Sequence, residues 1–199
     1  RLPCNGGYKN KYRDATMPRL ATALPSALLG LYLLGTPAAH ADGPLFSSDG
    51  YRVDRYRSPT PASAEHATTL DTAALRALLA REPRTRLVDV YRRTWLNGLL
   101  IANEEHRNLP GSLWLANTGD GQLSPPWQAY FRDNLQRLTD GDATRPLVFY
   151  CRSDCWASWN AVRRAHALGY SNLYWYRDGI DAWEQAGLPL QEAQPHPFP

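Results

Sequence analysis

The sequence has 199 residues and a net charge of +3 at neutral pH, from 22 basic and 19 acidic side chains. The first 41 residues hold five of the basic and one of the acidic side chains, which leaves 17 basic and 18 acidic ones, a net charge of −1. This balance excludes an electrostatic case for nucleic acid or an anionic surface as partner, and the length after residue 41 suits one domain.

The N-terminal part predicts a secretory signal peptide. Met17 is the only methionine, and we expect residues 1–16 to precede the true start. Arg19 supplies a positive charge ahead of an apolar stretch, and an Ala-His-Ala sequence ending at Ala41 has the form of a cleavage site. Residues 17–41 are therefore expected to be removed after Ala41; an uncleaved N-terminal anchor is the alternative. We expect a periplasmic protein with no membrane segment after cleavage, in an oxidising compartment where disulfides persist.

Beyond the leader, helices alternate with short apolar strands. Residues 42–70, rich in Gly, Pro, Ser and Thr, predict an extended arm. Asp71 is placed to cap a helix with leucines on one face, and residues 86–91 and 112–117 predict buried strands. In chain order, the next elements are a helix capped by Ser124 and ended near Asp140, a central strand over 146–150, a helix from near Cys155 to Leu168, a strand over 172–176 and a short helix over 179–187.

This alternation predicts an α/β fold, a single domain over residues 71–190 with a mainly parallel central sheet flanked by helices. Residues 191–199 predict a flexible tail. The run Glu104-Glu105-His106 predicts a solvated loop.

Two cysteines follow the central strand. Cys151 stands at its end, and Cys155 comes four residues later, directly before Trp156. In α/β sheets functional groups collect where strands end and helices begin, and the positive end of a helix favours thiolates and other anions. Arg152 adds positive charge to this loop, whereas Asp154 opposes it. The pattern therefore indicates transfer of sulfur or attack on a disulfide, with Trp156 as an aromatic wall beside the thiols.

Four motifs make residues 75–190 resemble the rhodanese-like family. They are Asp89 after a buried strand, the turn Pro110-Gly111, the stretch FYCRSDC and the stretch YRDGIDAWEQAGLPL. The resemblance implies a rhodanese fold with Cys151 as nucleophile, able to carry a persulfide, and Asp89 as a supporting residue. It implies a substrate or anion loop made of Arg152, Ser153, Asp154, Trp156 and Ala157.

The loop departs from the family pattern at two positions. Asp154 stands where ordinary members have the glycine that lets loop amides converge on an anion. Ala157 stands six positions after Cys151, where a phosphatase of this fold would need arginine. The sequence therefore argues against a phosphatase and weakens the expectation of a complete persulfide cradle.

A narrower resemblance covers the rest of the mature chain. The signal peptide, the stretch GYRVDRYRSPTP and the Cys-x-x-x-Cys-Trp motif are together similar to the exported rhodanese-like proteins called PQQ-dependent catabolism-associated CXXCW-motif proteins. This resemblance implies a periplasmic role beside quinoprotein alcohol oxidation. It assigns no PQQ-binding residue, and we assign no cofactor.

Cys155 leaves three interpretations open. It can resolve a persulfide or a mixed disulfide on Cys151, with a small sulfur compound or thiol as substrate. The two cysteines can instead bind a soft metal such as Cu(I), completed by His106 or His166, or engage a periplasmic quinoprotein or cytochrome as partner; we assign no metal ligands. The third interpretation is a permanent disulfide that pins the loop, although so short a loop gains little entropic stabilisation.

Overall fold

A computed structural model describes residues 43–101 and 104–199, so the proposed leader lies outside the described residues. The strands in chain order are β1 Thr68–Leu70, β2 Arg86–Asp89, β3 Thr94–Leu96, β4 Leu99–Ile101, β5 Arg107–Asn108, β6 Leu113–Trp114, β7 Leu147–Tyr150, β8 Leu173–Tyr176 and β9 Gln191–Glu192. The helices are α1 Thr72–Arg81, α2 Pro125–Thr139, α3 Trp156–Ala167 and α4 Gly179–Gln185. Within the described ranges, no helix combines the length and the apolar character needed to cross a membrane.

Five strands form one parallel sheet in the order β1-β8-β7-β2-β6. The central strand is β7, where Phe149 pairs with Val88 of β2 on one side and with Trp175 of β8 on the other. Helices cover both faces of a parallel sheet, and all four residues of β7 are accordingly buried. The prediction of an α/β domain with a mainly parallel sheet is confirmed.

The two faces of the sheet carry separate apolar clusters, because successive side chains of a strand point to opposite faces. Leu147 and Phe149 of β7 pack with residues of α2 and α3, including Phe131 and Ala161. Val148 and Tyr150 of β7 pack on the opposite face with residues of α1 and α4. The helix that follows Cys155 is thereby held against the sheet, which fixes where the loop before it lies.

The helix starts follow the sequence signals in part. Asp71 caps α1, since its carboxylate accepts a hydrogen bond from the N–H of Ala74 at 2.7 Å. Ser124 precedes α2 without a side-chain capping bond; two prolines occupy the first turn, where an N–H would have no helical partner. Asp140 ends α2 in the left-handed conformation.

Two short sheets differ from the expectations. A hairpin of β3 and β4, which the sequence analysis does not predict, turns at Asn97-Gly98, a dipeptide that favours tight hairpin turns. The sequence predicts a flexible tail, whereas β9 pairs with β5 and the Phe198 ring lies 4.1 Å from that of Trp127. The apolar ring of Phe198 gains burial against the domain, which explains why this segment lies on the surface of the fold.

Candidate active site

Cys151 and Cys155 form a disulfide at the C-terminal end of the central strand. Cys151 directly follows β7, and its carbonyl accepts a hydrogen bond from the N–H of Ile180 at 3.0 Å. Cys155 is the N-cap of α3 and directly precedes its first turn, which agrees with the prediction of a helix from near Cys155. The Cα atoms are 6.2 Å apart, and only 0% and 2% of the two residues are exposed. The pair is therefore at the expected edge of the sheet, but solvent does not reach it freely.

The positive charge of Arg152 is balanced by Asp181, a residue that the sequence analysis does not single out. Asp181 of α4 accepts a hydrogen bond from Arg152 Nε at 2.8 Å and one from the Ser153 N–H at 2.9 Å. Burial raises the pKa of Asp181, but the hydrogen bonds from Arg152 and Ser153 outweigh it and hold that pKa below its ordinary value. An aspartate thus already occupies one of the loop amides that an anionic sulfur group would use.

Asp154 supplies the backbone conformation for which ordinary family members use glycine. Its φ is +52°, in the left-handed region that aspartate tolerates better than most residues. Its carbonyl accepts from the N–H of Ser58 at 3.1 Å, and its Oδ1 accepts from the N–H of Thr60 at 3.3 Å. The exchange of glycine for aspartate therefore keeps the turn and adds a bond to the N-terminal arm.

The N-terminal arm, described here over residues 43–67, lies across the cysteine loop. Arg57 forms an isolated antiparallel bridge with Cys155, and the N–H of Trp156 donates to the carbonyl of Tyr56 at 2.9 Å. The Tyr56 hydroxyl in turn accepts from the N–H of Gly121 at 2.8 Å. The amide of Trp156, like that of Ser153, is therefore already hydrogen-bonded within the protein.

Trp156 is held by the arm and does not form an open wall. Its indole Nε1 donates to the Ser58 hydroxyl at 3.0 Å, and the Phe46 ring lies edge-on to it with centroids 5.4 Å apart. The Arg52 guanidinium lies 4.7 Å from its ring centroid, within cation–π range. Trp156 is only 8% exposed, so its ring packs beneath the arm and does not line an open surface beside the thiols.

The N-terminal arm binds α3 through the side chain of Asn160. The side-chain amide of Asn160 accepts from the Arg52 N–H at 2.9 Å and donates to the Arg52 carbonyl at 2.8 Å and to the Gly119 carbonyl at 2.9 Å. A Cβ on Gly121 would stand 2.2 Å from the Arg52 carbonyl oxygen, so only glycine fits there. Ala157 is fully buried. A Cβ on Gly119 would lie 2.3 Å from the carbonyl oxygen of Ala157.

Asp89 ends β2 next to the cysteine strand and forms a buried pair with His106. Its Oδ2 lies 2.6 Å from His106 Nε2, and its Oδ1 accepts from the Tyr91 N–H at 2.8 Å. Burial raises the pKa of Asp89 above its ordinary value, and the hydrogen bond with His106 opposes that rise. His106 is only 8% exposed, so the prediction of a solvated loop is wrong for this residue: the carboxylate of Asp89 compensates its burial.

Two small clefts lie beside this pair. One, of about 170 Å³, has Arg152, His106 and Ile180 in its lining, together with Glu105, Arg107, Glu184 and Leu190. The other, of about 230 Å³, shares His106 and is lined by Arg93 and Glu192 among others. The first cleft thus reaches both the cysteine loop and the buried histidine.

The metal interpretation finds no completed donor set in the part of the chain that the structure describes. There, no group of three or more His, Cys, Asp and Glu residues is placed to hold a metal ion. His106 is bonded to Asp89, and the ring of His166 stacks on that of His66 at 3.6 Å.

A model of the rhodanese-like domain matches residues 71–186, and the chain therefore belongs to the rhodanese-like domain family. No curated protein matches the sequence significantly.

Solved structures are similar to this chain at low identity. The Alr3790 protein from Anabaena sp. is 18% identical, with a TM-score of 0.43 over 61% of this chain and 79% of that one. Thiosulfate sulfurtransferase from Pseudomonas aeruginosa is 17% identical, with a TM-score of 0.46 over 67% of this chain and 22% of that one. The polysulfide-sulfur transferase from Wolinella succinogenes is 18% identical, with a TM-score of 0.41 over 66% and 82%.

Proposed function

We propose that the protein exchanges thiols and disulfides through Cys151 and Cys155. The observation that carries this proposal is the disulfide itself, formed between the thiol at the end of β7 and the N-cap of α3. In this reaction an incoming thiolate attacks Cys151 Sγ, the disulfide bond breaks, and its electron pair leaves on Cys155. A second thiol then releases the mixed disulfide, so that two thiols are oxidised for each protein disulfide reduced.

Sulfur transfer is the related reaction that the same pair supports. Cys155 would attack a persulfide on Cys151, release hydrosulfide and form the disulfide, which balances both atoms and electrons. Storage of a persulfide is less well supported, because the amides of Ser153 and Trp156 are bonded to Asp181 and Tyr56. The occupied amides favour exchange as the main activity.

The cellular location and the pathway are also part of the proposal. The signal-peptide pattern supports export to the periplasm with cleavage after Ala41, and the Cys-x-x-x-Cys-Trp motif supports a link to PQQ-dependent alcohol oxidation. The substrate is then a small sulfur compound or thiol, or the cysteines of a periplasmic quinoprotein or cytochrome.

Thiol trapping followed by intact-mass measurement of protein taken from the periplasm tests the proposal. We expect a disulfide that mild thiols reduce in the folded protein, and a mixed disulfide that accumulates on Cys151 in the Cys155→Ser variant. The Cys151→Ser variant is the matched control and should accumulate no such adduct on Cys155. A persulfide on Cys151 would favour sulfur transfer, whereas a disulfide that resists mild thiols until the protein unfolds would mean a structural crosslink.

A further inference from the structure

The N-terminal arm binds the cysteine loop largely through its backbone. The Tyr56 carbonyl accepts a hydrogen bond from the N–H of Trp156 at 2.9 Å. The N–H of Ser58 donates to the carbonyl of Asp154 at 3.1 Å, so that the two bonds flank one antiparallel bridge. Every residue except proline carries both of these backbone groups. Loop residues 154–156 therefore form a short strand edge that can pair with an extended segment of matching register.

The side chain of Asn160 extends this edge along α3. It binds both the N–H and the carbonyl of Arg52, as a neighbouring strand would. Side chains of the arm add selectivity: the Arg52 guanidinium lies over the Trp156 ring, and the Ser58 hydroxyl accepts from the indole Nε1. The Tyr56 hydroxyl accepts from a backbone N–H of the facing loop. The site thus binds an extended backbone that carries a cation, a tyrosine and a small hydroxyl at the spacing Arg-x-x-x-Tyr-x-Ser.

A second attachment holds the arm independently of the cysteine loop. Ala64 is buried in the core, Glu65 forms an ion pair with Arg163 of α3 at 3.0 Å, and the His66 ring stacks on a histidine ring of the same helix. The stretch Pro-Ala-Ser over residues 61–63 joins this attachment to the part of the arm that binds the loop. That part can therefore leave the loop while the arm stays attached next to β1.

Departure of the arm leaves buried polar groups without partners. The N–H of Trp156 loses the Tyr56 carbonyl, and the amide of the fully buried Asn160 loses both of its bonds to Arg52. A small thiol restores none of these bonds, whereas the backbone of another extended segment supplies an N–H and a carbonyl at the same spacing. The site therefore favours a cysteine within a polypeptide over a small thiol.

We propose that an extended, cysteine-containing segment of a partner protein displaces residues 52–60 and pairs with loop residues 154–156 and Asn160, so that the arm is an intramolecular stand-in for the substrate. The proposal rests on the exchange activity proposed above and names its substrate class. Arg57 forms the bridge with Cys155, so the partner residue that takes its place lies opposite a cysteine of the disulfide. A partner thiolate then serves as the incoming thiolate, and one thiolate and one disulfide give one mixed disulfide and one thiolate.

A synthetic peptide of residues 50–60, GYRVDRYRSPT, tests docking on the full chain without any chemistry. We expect it to bind Ser58→Pro roughly tenfold more tightly than wild type, because the arm of that variant lacks the N–H that donates to Asp154 and competes less well. The matched control peptide has proline in place of Ser58 and should bind both proteins roughly tenfold more weakly. Fluorescence anisotropy of labelled peptides measures the binding, and equal binding of the two peptides would overturn the proposal.

A peptide with cysteine in place of Arg57 tests the reaction on the wild-type chain, so this readout does not depend on a variant that folds. Its rate of mixed-disulfide formation should level off as the peptide concentration rises, and at low concentration it should exceed the rate of a scrambled peptide roughly tenfold. Equal rates for the ordered and the scrambled peptide would overturn the proposal.

Two further outcomes separate this proposal from others. If the peptide of residues 50–60 binds but neither cysteine peptide gives a mixed disulfide, the exchange activity fails although the docking site stands. A dimeric wild type that this peptide converts into monomers would assign the site to the arm of a second copy, and would overturn the proposal of a partner protein.

Discussion

At the scale of single residues, Asp154 shows how this loop differs from an ordinary rhodanese loop. A glycine there would supply the positive φ without strain, but it would offer no side chain to the arm. Aspartate keeps the left-handed backbone and accepts the N–H of Thr60. Asp154 thus both forms the turn around the disulfide and binds the N-terminal arm.

Replacement of Asp154 separates these two contributions. Asp154→Ala should lower the free energy of unfolding by about 1–2 kcal/mol, because alanine is strained in the left-handed region. Asp154→Gly should keep the turn and lose only the bond to Thr60. Urea unfolding of the three proteins measures both effects, and an alanine variant as stable as wild type would contradict the assignment of strain.

Asp181 makes the loop sensitive to acid. Its pKa is lowered relative to the ordinary value of 3.8, so its contribution to stability is present above that value and is lost as the pH falls through the folded-state pKa. The wild type should therefore lose stability below about pH 4 more steeply than Asp181→Asn. Denaturant unfolding at a series of pH values checks this, with Asp133→Asn on α2, whose side chain is 42% exposed, as the control. Parallel curves for all three proteins would rule out the role of Asp181.

At the scale of elements, the start of α4 holds residues 151–153 of the cysteine loop, whereas the arm binds residues 154–156. Gly179 forms an antiparallel bridge with Arg152, and its backbone takes a φ of +51°. A Cβ at this position would stand 2.1 Å from the carbonyl oxygen of Cys151. The GIDAW stretch therefore acts in two ways, since its glycine allows the close approach and its Asp181 binds the loop.

Two glycine substitutions, one at the start of α4 and one just beyond its end, test the close approach. Gly179→Ala should destabilise the protein by more than the 1–2 kcal/mol expected for left-handed strain alone, because the backbone of Cys151 must also move. Gly187→Ala is the matched control, since Gly187 has a φ of +68° and open space around the added Cβ. Thermal unfolding should show the larger loss for Gly179→Ala; equal losses would mean that the clash relaxes at no cost.

The elements and the position of Cys151 could be predicted because local patterns encode them. The apolar run of β7 and the capping signal of Asp71 are read from a few neighbouring residues. The bond of Trp156 to Tyr56 and the pair of His106 with Asp89 depend on the tertiary fold, so periodicity cannot reveal them. Asp181 lies in the stretch YRDGIDAWEQAGLPL, which resembles the family, but only the position of α4 shows that it binds Arg152.

At the scale of the whole molecule, the arm lies across the cysteine loop, and we expect it to limit access to the disulfide. Asn160→Ala leaves both the N–H and the carbonyl of Arg52 without their partner, at a cost of about 1–3 kcal/mol to the docked arm. The disulfide should then be reduced by tris(carboxyethyl)phosphine roughly tenfold faster, since each 1.4 kcal/mol of opening free energy is about a factor of ten.

The control for this prediction changes an asparagine at the N-terminal ends of the strands, away from the cysteines. Asn172 precedes β8 and donates to the carbonyl of Thr144, so Asn172→Ala should leave the reduction rate unchanged. Identical rates in the wild type and in Asn160→Ala would show that the arm does not limit access.

The hydrogen bonds that hold the arm in place also affect the order in which parts of the chain fold. They join residues 94 to 108 positions apart, so the arm must wait for α3 to be synthesised and positioned before it has anything to bind. An oxidant therefore meets Cys151 and Cys155 most easily during this interval, and pulsed alkylation during refolding should find the disulfide formed before the arm is protected. The arm is synthesised before the helix that it binds, and we expect it to reach its place last, over a disulfide that has already formed.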